Sequence, residues 1–154
     1  MKLEHAPVPA LRPSEYTAAL IQVLQANKEF IKGARVLDVG SGSGIVLAAM
    51  AEMGAGSLCG VDIEQAAVNT GARLLRELGH GGRSELLHGD MWQPLDGRRF
   101  DVVAANLPHF PMPVAEVAGR LPTWSAGGPD GRLLLDRFLI GLPQHLAPKG
   151  KAII

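Results

Sequence analysis

One run constrains this chain more than any other: Val36-Leu37-Asp38-Val39-Gly40-Ser41-Gly42-Ser43-Gly44. A short apolar stretch holding one acid leads into three glycines at every second position. Apolar residues then resume at once in Ile45-Val46-Leu47-Ala48-Ala49. The pattern predicts a buried parallel strand, a tight turn and a helix. Without Cβ atoms the turn can reverse and approach a ligand closely. The free N–H groups of the new helix then face the space above the strand's carboxyl end. In an open α/β sheet that edge is where ligands bind.

The remainder alternates in the same way. Residues 1–13 carry Pro7, Pro9 and Pro13 and read as an extended lead-in. Ser14 can cap a helix to about Phe30, with Tyr16, Ala19, Leu20, Val23 and Leu24 on one face. Strands are expected over 35–39, 57–62, 84–88 and 100–105, and a fifth over 149–154. Helices are expected over 45–53 and 64–78, the second turning Ile63, Ala67, Leu74, Leu75 and Leu78 inward. A last helix over 131–146 carries Leu134, Leu135, Phe138, Leu139, Leu142 and Leu146 at helical spacing, with Pro143 kinking or restarting it. Between Leu107 and Asp130 lie five prolines and three glycines, which predicts a long irregular loop. Loops of that length inside a compact domain usually serve function.

Strands alternating with helices make right-handed βαβ units and an α/β fold with one parallel sheet and helices on both faces. The expected division is 1–34 as lead-in and first helix, and 35–154 as the ligand-binding domain. The fifth strand runs to the last residue with nothing after it to turn back, so the chain reads as the first part of a longer domain, truncated there. The fifth strand's open edge would then invite association with another molecule.

Composition narrows the function classes. The chain has 154 residues, 47% apolar and 19% charged, with a formal net charge of zero. That suits one soluble domain and supplies no overall basic field for nucleic acid or anionic membrane. The single cysteine, Cys59, falls in a predicted strand and reads as a buried, inert thiol. No signal-peptide stretch and no spanning run is present, so no membrane partner and a cytoplasmic location are expected. His5, His80, His88 and His145 show no metal spacing, and no metal is assigned.

Each of the first four strands ends in a polar signal. Asp38 and the turn Gly40-Ser41-Gly42-Ser43-Gly44 follow the first. Asp62, 22 residues past Gly40, closes the second beside Ile63. An acid there can accept both hydroxyls of a ribose whose other end sits on the glycine turn. Asp90 follows the third strand and can accept an exocyclic amine, with Met91 or Trp92 against a base face. Asn106 follows the fourth. Four such residues in register point to a nucleoside-containing ligand. A dinucleotide turn would need glycine or alanine where Ile45 stands. A phosphate loop would need a lysine, and none lies between Lys32 and Lys149.

The Gly-x-Gly-x-Gly pattern resembles motif I of the class I S-adenosylmethionine-dependent methyltransferases, over residues 35 to 154. The resemblance implies a Rossmann-like sandwich binding S-adenosyl-L-methionine. Asp38, Gly40, Ser41, Gly42 and Gly44 would then hold the methionine portion, Asp62 and Ile63 the ribose, and Asp90 and Met91 the adenine. Asn106-Leu107-Pro108-His109 is similar to the Asn-Pro-Pro-Tyr signature of enzymes that methylate planar nitrogens. The lone pair of such a nitrogen is delocalised, so it is a poor nucleophile. An asparagine carbonyl and a backbone carbonyl accepting its two N–H bonds would aim the lone pair at the sulfonium methyl and stabilise the charge that develops. No strong general base is then required.

Gly127-Gly128-Pro129-Asp130-Gly131 resembles the Gly-Gly-x-Asp-Gly element of the HemK-type protein-glutamine methyltransferases, and Arg12-Pro13-Ser14-Glu15 loosely resembles their entry segment. Both imply a glutamine side-chain amide in a protein as acceptor. The chain departs from the pattern at Leu107, where the family has proline, and at His109, where it has tyrosine or phenylalanine. An RNA or DNA base amine is the alternative acceptor. It would gather Arg73, Arg76, Arg83, Arg98, Arg99, Arg120 or Arg132 around the pocket mouth. A non-catalytic cofactor-binding or interaction subunit is a further alternative.

Overall fold

A computed structural model describes residues 14–113 and 127–154. In chain order they form α1 (Glu15–Ala26), β1 (Arg35–Val39), α2 (Ile45–Glu52), β2 (Ser57–Asp62), α3 (Gln65–Glu77), β3 (Ser84–His88), β4 (Phe100–Ala105), α4 (Leu133–His145) and β5 (Leu146–Ile153). The sheet is ordered β3-β2-β1-β4-β5 and every pairing is parallel. The order reverses beside β1, so the crevice between the ends of β1 and β4 is the topological switch point.

Alternation along the strands divides the core in two. Val36, Leu58, Val102 and Ala104 face a layer built from Leu20 and Leu24 of α1, Val46, Leu47 and Met50 of α2, and Leu75 of α3. Leu37, Val39, Cys59, Val61, Phe100, Val103 and Ala105 face the other way. They pack with Met91, Leu95, Leu107 and Phe138 of α4. Strands buried on both faces read as continuous apolar runs, which is why β1, β2 and β4 occupy the residues the sequence predicts; β3, a half-exposed edge strand, also falls where predicted.

The helices depart more. Tyr16 and Val23 are exposed and only Leu20 and Leu24 of α1 are buried, because the helix presents a narrow stripe to α2. It ends at Ala26, where Asn27 turns back on Val23 O and Leu24 O; a single 3₁₀ turn, Lys28–Phe30, follows. Ile63 and Leu78 flank α3 and are exposed rather than inward. In α4 Phe138 is fully buried and Leu134 and Leu142 pack on the core, but Leu139 is exposed. Pro143 does not restart α4, which continues to His145 and passes directly into β5. That strand begins at Leu146, ahead of the predicted Lys149. Leu146 pairs with Phe100 and Lys151 with Val102, so residues 147–150 bulge from the ladder. Of the loop predicted over 107–130, residues 114–126 lie outside the described residues, as does the lead-in 1–13. No helix among the described residues is long and apolar enough to cross a membrane.

Candidate functional site

The glycine turn takes the shape that its residues permit. Gly40, Gly42 and Gly44 all have positive φ (76°, 50° and 82°), conformations that other residues adopt only at a cost. Val61 O receives both Gly40 N–H and Ser41 N–H, at 2.8 and 3.0 Å, which ties the turn to the end of β2. α3 crosses so closely that a Cβ on Gly44 would lie 2.9 Å from Gly71 Cα. Gly60 leaves room for Leu47 and Ser41 in the same way: its Cβ would sit 2.7 Å from Leu47 Cδ1. Gly60 and Gly71 carry no motif of their own, so nothing in the sequence marks them.

Asp62 closes the turn from the side. Its Oδ2 accepts Gly42 N–H at 2.8 Å and its Oδ1 accepts Glu64 N–H at 2.9 Å. Asp38 is almost fully buried beneath. Burial holds its carboxyl well above the usual carboxylate range, and the Asp62 charge pushes the same way. No described residue offers Asp38 a compensating positive charge. Ser41 is buried too, and its Oγ has no hydrogen-bond partner among the described residues. Two carboxyls, an orphaned hydroxyl and a glycine turn thus meet at one edge of the sheet. Chemically this is a site for a cationic, hydroxyl-bearing ligand.

The end of β3 supplies a cavity of about 330 Å³ lined by Asp90, Met91, Trp92, Gln93 and Arg137. Asp90 Oδ2 accepts from Arg137 of α4 at 2.7 Å, an ion pair the sequence reading missed because 47 residues separate the two. Met91 is held at φ 52° with its side chain buried. Trp92 is committed elsewhere. It stacks on His145 at 4.8 Å, leans on Phe138 at 5.0 Å and donates to Arg137 O. Gly141 permits this, since a Cβ there would overlap the indole. Of the two side chains expected against a base, Trp92 is the one the fold spends on α4.

Asn106-Leu107-Pro108-His109 leaves β4 beside the glycine turn, and Leu107 Cδ2 lies 4.0 Å from the position of a Gly40 Cβ. Asn106 Nδ2 donates to Thr17 Oγ1 of α1 at 3.2 Å. The Leu107 carbonyl accepts from His109 Nδ1 at 2.9 Å, which places the proton on that nitrogen and leaves the oxygen a second lone pair. The His109 ring stacks on Phe110 at 4.8 Å and meets the edge of Tyr16 at 4.9 Å. The Gly127–Gly131 element clasps this loop from outside. Gly127 N–H donates to Phe110 O and Met112 N–H to Gly128 O, while a Cβ on Gly131 would overlap His109 O. Its glycines therefore have a structural reason: two backbones pass in contact.

Two arginines lie at this edge, Arg137 on Asp90 and Arg132 beside the Gly127–Gly131 element, each paired with a carboxylate. Arg83, Arg98 and Arg99 precede β3 and β4 and so lie at the opposite, amino-terminal edge of the sheet. Arg83 is held by Ala51 O and Ala55 O, Arg98 by Glu85, and Arg99 by Pro143 O and Leu146 O. Arg132 pairs with Asp136. Arg120, Arg12 and Pro13 lie outside the described residues. Cys59 lies in β2 with its thiol pushed up to about 11 by burial, as an inert core residue should be. Among the described residues no group of three or more His, Cys, Asp or Glu could hold a metal ion.

Comparison with known proteins gives the family and the fold. The family described as "Methyltransferase domain" matches residues 36–121. A Methanocaldococcus jannaschii protein whose provisional name is protein N5-glutamine methyltransferase is 34% identical over 142 residues, 91% of this chain and 71% of that protein. A release factor glutamine methyltransferase of Gloeobacter violaceus is 32% identical over 149 residues, 91% of this chain but 51% of that protein. This chain therefore spans only about half the length of the second. An S-adenosylmethionine-dependent methyltransferase of Thiobacillus denitrificans, solved with S-adenosyl-L-homocysteine, superposes with a TM-score of 0.58 at 27% identity, covering 94% of this chain and 50% of that one.

Proposed function

This chain belongs to the methyltransferase-domain family, and from that premise we propose that it transfers a methyl group from S-adenosyl-L-methionine to the side-chain amide nitrogen of glutamine in a protein. The residues present fit the cofactor. Asp38 is a buried carboxyl without a counter-charge and Ser41 Oγ a buried hydroxyl without a partner. Both would be satisfied by the ammonium and carboxylate of the methionine portion. Asp62, facing the turn, would hold the ribose hydroxyls beside Ile63. Asp90 keeps Oδ1 for the adenine amine while Oδ2 holds Arg137. The bound sulfonium supplies a methyl group that leaves without its bonding electrons, which stay on sulfur.

One observation carries the acceptor: the Asn106–His109 loop touches the glycine turn with its amide already oriented. Asn106 Nδ2 is spent on Thr17, so Oδ1 faces away from α1 as a pure acceptor. Oδ1 and the free lone pair of the Leu107 carbonyl would receive the two N–H bonds of the incoming amide. That arrangement fixes the plane of the amide, so that the nitrogen lone pair perpendicular to it would face the sulfonium methyl, and it stabilises the charge the nitrogen gains. The product sheds its proton to water. Leu107, which stands where the family signature has proline, is buried against Gly40, and that packing would hold its carbonyl in place. His109, with Phe110 and Tyr16, supplies a flat wall for a planar amide.

A base amine in RNA or DNA is the second acceptor of the right chemistry. Arg83, Arg98 and Arg99 lie at the far edge, and the two arginines at this edge, Arg132 and Arg137, are paired with Asp136 and Asp90 rather than free for a phosphate backbone, which supports protein. The relatives are named for release factors and a ribosomal protein, and a cytoplasmic setting follows from such partners. Among the described residues β5 pairs only with β4, so its outer edge is where another strand would add. Incubation with labelled S-adenosylmethionine and a bacterial release factor, followed by peptide mass spectrometry, tests the reading. Label on one glutamine is expected. Label on added ribosomal RNA alone would replace it with the base-amine reading.

A further inference from the structure

We propose that Thr17 is the positioning residue that sets which way the Asn106 amide faces, so that α1 belongs to the acceptor machinery; this rests on the acceptor reading of Asn106 given above. The evidence is a closed set of hydrogen bonds. Thr17 Oγ1 lies 3.2 Å from Asn106 Nδ2, 3.3 Å from Ser14 N and 3.3 Å from Ser14 Oγ. Ser14 Oγ in turn receives Thr17 N–H at 3.3 Å. A threonine hydroxyl has one proton and two lone pairs. Either hydroxyl can be the donor in the Ser14–Thr17 contact; when Thr17 gives its proton to Ser14 Oγ, both of its lone pairs are taken, by Ser14 N–H and Asn106 Nδ2–H. The hydroxyl then has nothing to donate to Asn106 Oδ1, and the flipped amide would place one lone-pair group against another.

An asparagine at a strand end can rotate its amide at little cost, and the two orientations have opposite chemistry. One presents an acceptor to the substrate nitrogen, the other a donor that repels its N–H bonds. The capping box of α1 therefore does two things. It satisfies the first turn of the helix, and, when the Thr17 proton goes to Ser14 Oγ, it presents Thr17 Oγ1 as an acceptor to Asn106 across 89 residues of sequence. α1 is itself anchored, since Leu20 and Leu24, one and two turns on, are buried in the core. The oxygen is thus held by a rigid element rather than by a loop.

The test pairs a spectrum that needs no substrate with kinetics that do. In ¹⁵N–¹H spectra the Asn106 side-chain amide pair, assigned by its loss in Asn106→Ala, is expected to move in Thr17→Val and to stay in Thr17→Ser. Thr17→Ala serves where valine disturbs the helix. With S-adenosylmethionine and a release factor as substrate, Thr17→Val is expected to lower kcat roughly tenfold, the scale of one hydrogen bond, with KM little changed. Thr17→Ser should restore it, and Thr17→Val should cost nothing further once Asn106 is alanine. An unmoved Asn106 resonance and unchanged kcat in Thr17→Val, with Asn106→Ala impaired, overturns the positioning role and leaves the acceptor reading standing. Full turnover in Asn106→Ala overturns the acceptor reading itself, and the proposal with it.

Discussion

Gly44 and Gly71 meet backbone to backbone: a Cβ on Gly44 would lie 2.9 Å from Gly71 Cα. The ligand-facing turn and the helix behind it are therefore one packed unit. On Gly71 a Cβ would overlap Leu86 Cδ2. Gly71→Ala should cost about 1–3 kcal/mol by overpacking. That is a fall in melting temperature of roughly 2–4 °C per kcal/mol. Gly44→Ala should cost more, since φ is 82° there and the neighbour is backbone that cannot rotate away. Thermal melts of the two variants check the order.

Asp38 links stability to function. Folding raises its pKa, first by burial and then by the Asp62 charge, so the native state holds that proton more tightly than the unfolded chain. The stabilising effect is complete below the unfolded value of about 3.9 and is lost as pH rises through the folded value. Above that the ionised group is a cost. Asp38→Asn should melt at a higher temperature than the wild type at neutral pH. The gap should close in acid, and the variant should bind S-adenosyl-L-homocysteine more weakly. Melting curves across pH, with binding measured alongside, read both effects.

Asp90 should separate binding from stability. Its pair with Arg137 is half-exposed on both sides, and such pairs contribute about 0–1 kcal/mol. Asp90→Ala should leave the melt almost unmoved and weaken S-adenosyl-L-homocysteine by about tenfold, the value of a hydrogen bond to a charged acceptor. A large fall in melting temperature would make Asp90 structural instead.

Cys59 should resist thiol reagents. Its thiol is buried in β2 and held near 11 by that burial. Labelling by a maleimide should therefore follow global unfolding in rising urea and be negligible without it.

What could be read from residues alone follows from what local pattern encodes. Apolar runs broken by glycine located β1 to β4, and the acids at their ends lie on one sheet edge because parallel strands all end there. Faces of helices were harder. α4 carries apolar residues all round, so the side meeting Trp92 could not be told from the side bearing Ile140, which is exposed. Tyr16 reads as core by spacing but serves as the edge wall of His109. Pairings such as Thr17 with Asn106 or Asp90 with Arg137 join segments far apart in sequence, and no periodicity reports them. Trp92 was legible as an aromatic near a strand end, but its commitment to His145 depends on the crossing of α4 over the sheet.

The most direct test is calorimetric titration with S-adenosyl-L-homocysteine, repeated on Asp62→Ala. That substitution removes the carboxylate that holds Gly42 N–H and faces the expected ribose. Micromolar binding by the wild type, weakened at least tenfold in a variant that still melts cooperatively, is the predicted result. No heat of binding from the folded wild type would contradict a cofactor site at this edge and leave the glycine turn without its ligand.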